Sequence, residues 1–358
     1  MLALASARAR ACAGLLACVG LLACEGRPPP RPRAAAGPRA PAPIAETWLK
    51  GQLHMHTSGS GDSETPVAAA VAWYAGRGFD FVVITDHNVI TEPPAGAPIL
   101  ALPGIELTQN LEACAPAPAP GLQCLLHVNA LVVDPARVGG YRFPPPPSLA
   151  RHDLYLRAIR AGEALGGVVM LNHPNFHLAA DGELLSALAG EGLVLFELAN
   201  EAIDSNNEGD AEHPSTEALW DLALRRGARL YGAATDDAHH YDDAAEVEAR
   251  GELAFTGDRG FVFVRAAREP AAIRAALARG DFYASTGPRL RALERGDGAI
   301  AVELDAPATI EFIAGGEVVR RVEGSAARMT LAEVAGPYLR ARITAAGGTA
   351  WTQPIWRD

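Results

Sequence analysis

Lysine is almost missing from this chain: Lys50 stands alone, and every other one of the 31 basic residues is arginine. No function follows from that bias. No apolar run reaches the roughly 18–20 residues of a spanning helix, which excludes a polytopic membrane protein. There is no C-x-x-C pair, which argues against a cysteine-type zinc site. There is no G-x-S-x-G elbow to present a serine nucleophile, and no phosphate loop or G-x-G-x-x-G unit between a strand and a helix. Basic charge is also scarce where it would matter. The formal net charge is −11, but residues 1–45 hold six of the 31 basic residues and one of the 42 acidic ones, which leaves the remainder at −16. A surface of that sign repels phosphate polymers and argues against a nucleic-acid partner.

What is present points to a folded body. Apolar residues make up 49% of the 358 and charged residues 20%, enough for a sizeable core. At about 150 residues per domain, the length suggests roughly two domains. The 36 glycines and 27 prolines imply many turns and at least one unstructured stretch.

The N-terminus reads as an address. Arg8 and Arg10 precede an apolar stretch from Ala11 to Ala23, the layout of a secretory signal. It ends in Leu21-Leu22-Ala23-Cys24, which resembles the lipobox of bacterial lipoproteins; Leu15-Leu16-Ala17-Cys18 is a second match. Cleavage before Cys24 is the better reading, because cleavage at Cys18 leaves apolar residues exposed behind the anchor. An ordinary signal peptide that happens to contain cysteine is the plainer alternative. Residues 24–45, rich in Pro, Ala and Arg, cannot bury a core and read as an extended tether. These features imply an exported lipoprotein of the bacterial envelope, facing the periplasm or the exterior, with membrane contact only through a lipid at Cys24. In an oxidising compartment, Cys114 and Cys124, which flank an alternating Ala-Pro loop, are candidates for a disulfide or for two free thiols.

From residue 48, short β-rich runs alternate with Ala-rich helical stretches. The runs are Leu49–His56, Phe79–Thr85, Ile99–Glu106, Leu125–Val133, Val168–Leu171, Val194–Leu198 and Leu230–Ala234. The pattern predicts helices over 65–77, 151–165, 182–189 and 215–226. Near-continuous apolar strands alternating with helices predict an α/β fold with a parallel sheet covered on both faces. Seven such units favour a barrel over an open sheet. After residue 286 the helical stretches vanish, and short alternating segments between Gly or Pro turns predict a small antiparallel β-sandwich. The expected organisation is therefore signal 1–23, tether 24–45, barrel 46–287 and sandwich 288–358.

The predicted strands carry polar residues of metal-ligand type at or near their ends. They are His54 and His56, Asp86 and His87, Glu106, His127, His173, Glu197, and then Asp236, Asp237 and His239. In a (β/α) barrel the strand C-termini share one mouth, so residues distant in sequence converge. Positions i and i+2 of a strand face the same side, so His54 and His56 can aim at one metal, and Asp237 and His239 can too if their segment stays extended. Ten histidines in 358 residues give roughly 0.3 H-x-H triplets by chance. That motif alone is weak, whereas ligand-type residues at nearly every strand end are not easily accidental. Imidazole and carboxylate together suit zinc, manganese or iron. Asp86, Glu197 and Asp236 read as carboxylates that hold the imidazoles in position from behind. Asp62, in a Gly/Ser-rich loop, is either a ligand or a turn residue. His152, His213 and His240 look bland, and so does His177, although its place beyond Asn172-His173-Pro174-Asn175 leaves substrate contact as the alternative.

His54-Met55-His56-Thr57, Ile84-Thr85-Asp86-His87-Asn88, Gly104-Ile105-Glu106, Asn172-His173-Pro174 and Thr235-Asp236-Asp237-Ala238-His239 together resemble the PHP (polymerase and histidinol phosphatase) superfamily. The CehA/McbA branch is the most similar, and Phe282-Tyr283-Ala284-Ser285-Thr286-Gly287-Pro288 and the β-rich tail resemble it too. The resemblance covers roughly residues 48–358. It implies a distorted (β/α)7 barrel with two or three divalent metal ions. In that scheme His54, His56, Glu106 and Asp237 hold one metal, Glu106 bridges to a second shared with His127 and His173, and Asp62, His87 and His239 form a third site. That site often has histidine where this chain has Asp62. Glu106, His173 and Asp237 are the implied catalytic residues. The implied reaction is hydrolysis by a metal-bound hydroxide without a covalent enzyme intermediate. A small phosphate ester is the first expectation for the substrate, and a carboxylate or carbamate ester or amide the second. A catalytically silent, surface-tethered binding module is the reading from a different class.

Overall fold

A computed structural model describes residues 47–140, 143 and 145–357. The expected signal and tether, with Cys24, lie outside the described residues. Among the described residues no helix is long and apolar enough to cross a membrane.

Strands β1 (Thr47–Gln52) and β2 (Phe81–Ile84) pair in parallel, as do β2 and β3 (Leu100–Pro103). β4 (Ile105–Leu111), β5 (Cys124–Leu131), β6 (Val168–Leu171), β7 (Leu195–Asn200) and β8 (Tyr231–Thr235) form a second sheet in that order. Isolated bridges join the two sheets at both edges: His87 pairs with Glu106, and Met55 with Ala238. Pairing therefore runs from β1 through β2 and β4 to β8 and back to β1. The all-apolar runs of β2 and β6 are wholly buried, as expected of strands covered on both faces.

The helices match the sequence reading in place and nearly in length. They are α1 (Val67–Ala75), α2 (Arg151–Ala164), α3 (Gly182–Ala189) and α4 (Thr216–Arg225). α2 buries Leu154, Tyr155, Ala158 and Ile159, one apolar stripe at helical spacing. Asp181 and Ser215 accept N–H groups of α3 and α4 and so set where those helices begin. Two further helices, α5 (Ala244–Ala249) and α6 (Pro270–Arg279), were not expected from the sequence.

The sheet is mixed rather than parallel. β5 runs antiparallel to both β4 and β6. The β4–β5 connection cannot form the crossover helix that parallel strands need, because Pro116, Pro118 and Pro120 alternate through it. A Cys114–Cys124 disulfide closes that loop. The run expected over 99–106 is divided at Gly104. A Cβ there would lie 2.7 Å from Val83 Cγ1 and 2.9 Å from the Ile84 carbonyl, so only glycine permits the close step from β3 to β4.

β9 (Phe261–Ala266) pairs antiparallel with β1, and β10 (Phe282–Ser285) with β9. The tail strands are β11 (Ala292–Gly296), β12 (Ala299–Ala314), β13 (Glu317–Thr330), β14 (Tyr338–Ala345), β15 (Gly348–Thr352) and β16 (Ile355–Trp356). They are antiparallel as expected, but β15 pairs with β10, so hydrogen bonds cross the boundary expected near residue 287. Where the pattern predicts only short segments, β12 is one long strand with a register shift between Glu303 and Ala308. Tyr338 and Trp351 pack in the same core cluster as Trp220 of α4.

Candidate metal centre

The strand ends bring together residues spread from His54 to His239. Three groups have ligand atoms close enough to share an ion: His54, His56 and Glu106; Glu106, His127 and His173; and His56, Asp62, His87 and His239. Asp237 Oδ1 lies 3.2 Å from His54 Nε2 and 3.1 Å from His56 Nε2, beside the first group. Glu106 belongs to two groups and His56 to two. His54, His56 and Glu106 are fully buried, whereas the side chains of His87 and Asp62 are 23% and 47% exposed, so the cluster runs from a closed floor to an open mouth.

The hydrogen bonds fix which imidazole nitrogen is free. Glu197 accepts from Thr235 Oγ1, the His173 N–H and Asn200 Nδ2, so it acts as a carboxylate. His54 Nδ1, 2.6 Å away, must then be the donor, and its Nε2 carries the lone pair. Ser60 gives its only proton to Asp86, so it accepts from His56 Nδ1 at 2.8 Å and frees His56 Nε2. His127 Nε2 donates to Asn110 Oδ1, and His239 Nδ1 donates to the Asp237 carbonyl. The remaining nitrogens face acceptors: His54 Nε2 lies 3.1 Å from His56 Nε2, His127 Nδ1 3.1 Å from Glu106 Oε1, and His239 Nε2 3.3 Å from Asp62 Oδ2. Lone pairs facing lone pairs and carboxylates in a buried site are satisfied by a cation between them, a proton or a metal ion. The donor set, imidazole with carboxylate, fits divalent zinc, manganese or iron.

The electrostatics agree. Burial pushes Glu106 and Asp237 toward their neutral forms, but His87, His127 and His54 hold Glu106 well below the usual carboxylate range, and His54, His56 and His239 do the same for Asp237. Burial opposes charge on His54 as well, yet Asp237, Glu197 and Glu106 raise it well above its ordinary value. The field at that nitrogen demands positive charge. His56 goes the other way: burial and the neighbouring His239 charge push it down to about 4. His87 sits between Glu106 and Asp62 with a nitrogen toward each.

Several expectations about individual residues change. The Asp237–His239 segment is not extended: Asp237 has φ of 52°, in the left-handed region, and its N–H bonds to the His54 carbonyl. Both side chains reach the cluster from the irregular segment after β8, in which Ala238 bridges to Met55. His173 also has positive φ, 25°, while its N–H bonds to Glu197. Such conformations cost on the order of 1–3 kcal/mol each and cluster at functional sites. Asp236 touches no imidazole. It accepts the N–H groups of Asp258, Arg259 and Gly260, with Tyr74 and Gln52 also donating to it, and burial raises it to about 6. Asp86 reaches His56 only through Ser60 and otherwise takes the Thr57 N–H and hydroxyl. Glu197 touches a ring directly. We expect Glu197→Gln to loosen His54 and weaken metal affinity about 10–100-fold, measured by competition with a fluorescent chelator; unchanged affinity would show that the Glu197–His54 contact is incidental.

Other contributors had no clear signal in the sequence. Asn172 Nδ2 donates to Glu106 Oε1 at 2.7 Å, and Asn200 Nδ2 bridges Glu197 and Asp237. Each asparagine lies next to a strand end already singled out, which is the signal that would have found them. His152 pairs with Glu191 and Asp153, and His213 with Asp210, outside the cluster. His177 accepts the Gln123 N–H through Nδ1. Above the cluster is a cavity of about 270 Å³ bordered by Phe176, Asp204, His240 and Phe255, and no described Arg or Lys lines it.

No family model and no curated protein matches this chain. Solved structures do. One is a two-domain protein from Bacteroides vulgatus described as containing a PHP-like metal-dependent phosphoesterase; it is 17% identical, with 89% of this chain and 100% of that one covered and a TM-score of 0.45. A protein from Bifidobacterium adolescentis described as a metal-dependent phosphoesterase is 17% identical over 53% of this chain and 88% of its own, with a TM-score of 0.37. An amidohydrolase from Chromobacterium violaceum with bound sulfate and no metal is 14% identical over 56% and 96%, with a TM-score of 0.33.

Proposed function

We propose that this chain is a metal-dependent hydrolase of the PHP superfamily, of the CehA/McbA type, acting on a phosphate ester. The observation that carries the reading is the set of imidazole lone pairs locked toward Glu106, Asp237 and Asp62 within one cavity. Residues 46–287 then make up the distorted (β/α)7 barrel and 288–358 a β-sandwich. An N-terminal lipid at Cys24 places the enzyme in the bacterial envelope.

His54, His56, Glu106 and Asp237 would hold one ion, Glu106, His127 and His173 a second, and Asp62, His87 and His239 a third. Bound divalent cations supply water acidic enough to attack at neutral pH and polarise the ester oxygen. With those ions held there, the oxygen of such a water would add to phosphorus as the bond to the leaving oxygen breaks. Asp237, at the cavity wall, would hold and orient that water, whose proton would pass to the departing alkoxide. Asn200 keeps the Asp237 carboxylate oriented for this role, and Asn172 does the same for Glu106. His173 lines the same cavity and would contact the reacting group.

One observation supports a second reading. No described guanidinium or ammonium lines the cavity to meet the extra charge of a phosphate. Carboxylate or carbamate ester hydrolysis would not need one. The test is release of nitrophenol from phosphate and from carboxylate or carbamate esters, with Mn or Zn added and then with a chelator. Chelator-sensitive turnover of the phosphate ester supports the first reading, and turnover of the acyl ester alone supports the second. Silence on both panels with metal bound by elemental analysis overturns both and favours the binding module.

A further inference from the structure

The tail sheet ends on a strand with a free edge. Among the described residues β13 pairs with β12 and with no other strand, so one side of its backbone has no strand partner. Nearly all of β13 is exposed, and Val318 and Val319 are apolar residues left at 44% and 43% exposure. A long exposed edge of this kind is a template for another strand.

Two irregularities mark off the regular part of that edge. Val319 has no partner on β12, because Arg320 pairs with Phe312 and Val318 with Ile313. At the other end Gly324 pairs with Ala308, whereas Ala326 pairs with Glu303. Residues 320–324 lie between these breaks in unbroken register, with Val322 at the centre.

A row of alternating charge crosses the sheet and stops at this edge. Arg342 of β14 donates to Glu217 of α4 at 3.0 Å and, through Nε, to Glu311 of β12 at 2.8 Å. Glu311, opposite Arg342 on one side, is opposite Arg321 of β13 on the other and accepts its Nε at 2.9 Å. The row ends there, with the Arg321 side chain 65% exposed. Two residues on, and on the same face, Glu323 accepts the Thr309 hydroxyl. The edge therefore offers one cation and one anion, on either side of Val322.

A strand that continues the row must set an acid opposite Arg321 and a base opposite Glu323. β13 of a second copy supplies both. A two-fold axis through Val322, normal to the sheet, reverses the strand and keeps each face on its own side, so it pairs only residues that share a face. It sets Arg321 against the partner's Glu323, and Glu323 against the partner's Arg321, with the two Val322 side chains facing each other on the opposite face. We propose that this chain forms a two-fold dimer in which the β13 strands of two copies pair antiparallel about Val322 and join their tail sheets. The regular contact is short, so the dimer should be weak and concentration-dependent. It does not depend on the metal centre.

Sedimentation velocity on the full chain in excess detergent, from about 1 to 500 µM, should show monomer giving way to dimer. Glu323→Arg sets arginine against arginine at both pairs and should weaken the dimer by about tenfold or more. Arg321→Glu, which sets glutamate against glutamate, should do the same. An equimolar mixture of the two variants should dimerise more tightly than either alone, because each copy then supplies the charge that the other lacks. The described hydrogen bonds of Glu323 go to one threonine hydroxyl, so Glu323→Arg should melt like the wild type and decides the matter even if Arg321→Glu does not fold. A wild type that stays monomeric throughout, a dimer indifferent to Glu323→Arg, or two folded variants no tighter mixed than apart would overturn the pairing.

Discussion

Glu106→Gln should fold, lose bound metal and lose turnover by about 10³-fold or more. The two oxygens of Glu106 reach different partners. Oε1 faces His127 Nδ1 at 3.1 Å and His54 Nε2 at 3.5 Å, while Oε2 faces His56 Nε2 at 3.7 Å and contacts His87. A glutamine keeps the shape and one oxygen, but it removes the charge common to two ion groups and can turn N–H donors toward imidazole lone pairs. Those new hydrogen bonds satisfy the metal-free cluster, so the thermal midpoint without metal should not fall. Elemental analysis gives the metal content, and nitrophenyl ester turnover gives the activity. A variant that keeps wild-type metal and activity would mean that Glu106 does not bridge. One that simply unfolds would place its role in the fold.

The second large effect lies far from the metals. Asp221→Ala should destabilise the chain by about 3–5 kcal/mol, the range for breaking one partner of a buried ion pair. For a domain of this size that corresponds to a fall of Tm on the order of 10 °C. Arg340 of β14 is almost fully buried and donates to Asp221 of α4 through Nε at 2.8 Å and Nη2 at 2.6 Å. Its Nη1 lies 2.7 Å from Glu217 Oε1, a charge contact rather than an aligned hydrogen bond, since neither atom has a hydrogen-bond partner. Tyr338 adds its hydroxyl to Asp221 at 2.7 Å. Removing Asp221 strips the guanidinium of its two aligned hydrogen bonds and leaves it only the Glu217 charge contact between α4 and the tail sheet. Asp221→Ala combined with Arg340→Met should recover most of the loss, because no unpaired charge then remains. Calorimetric melting of the three proteins decides it. A single variant within about 0.5 kcal/mol of wild type, the usual surface effect, would mean that the tail is not locked to α4 by this pair.

The sequence was most legible where structure is local. Strand and helix periodicity depend on neighbours a few residues apart, so β1, β2, β6, β7 and β8 and the first four helices fall close to where the pattern puts them. The i, i+2 rule placed His54 and His56 side by side for the same reason, and the Ala-Pro loop put Cys114 and Cys124 within bonding reach. What the pattern could not show is set by chain segments that meet only after folding. The direction of β5 depends on whether its connection can form a helix. The lock on His54 comes from Glu197, and the seat of Asp236 from the 258–260 turn. The turn at 176–178 is held by one disulfide-closed loop and one arginine. None of these partners is near its target in sequence. Spacing could name the ligand types, but only tertiary packing decided which nitrogen of each ring is free and which carboxylate it faces.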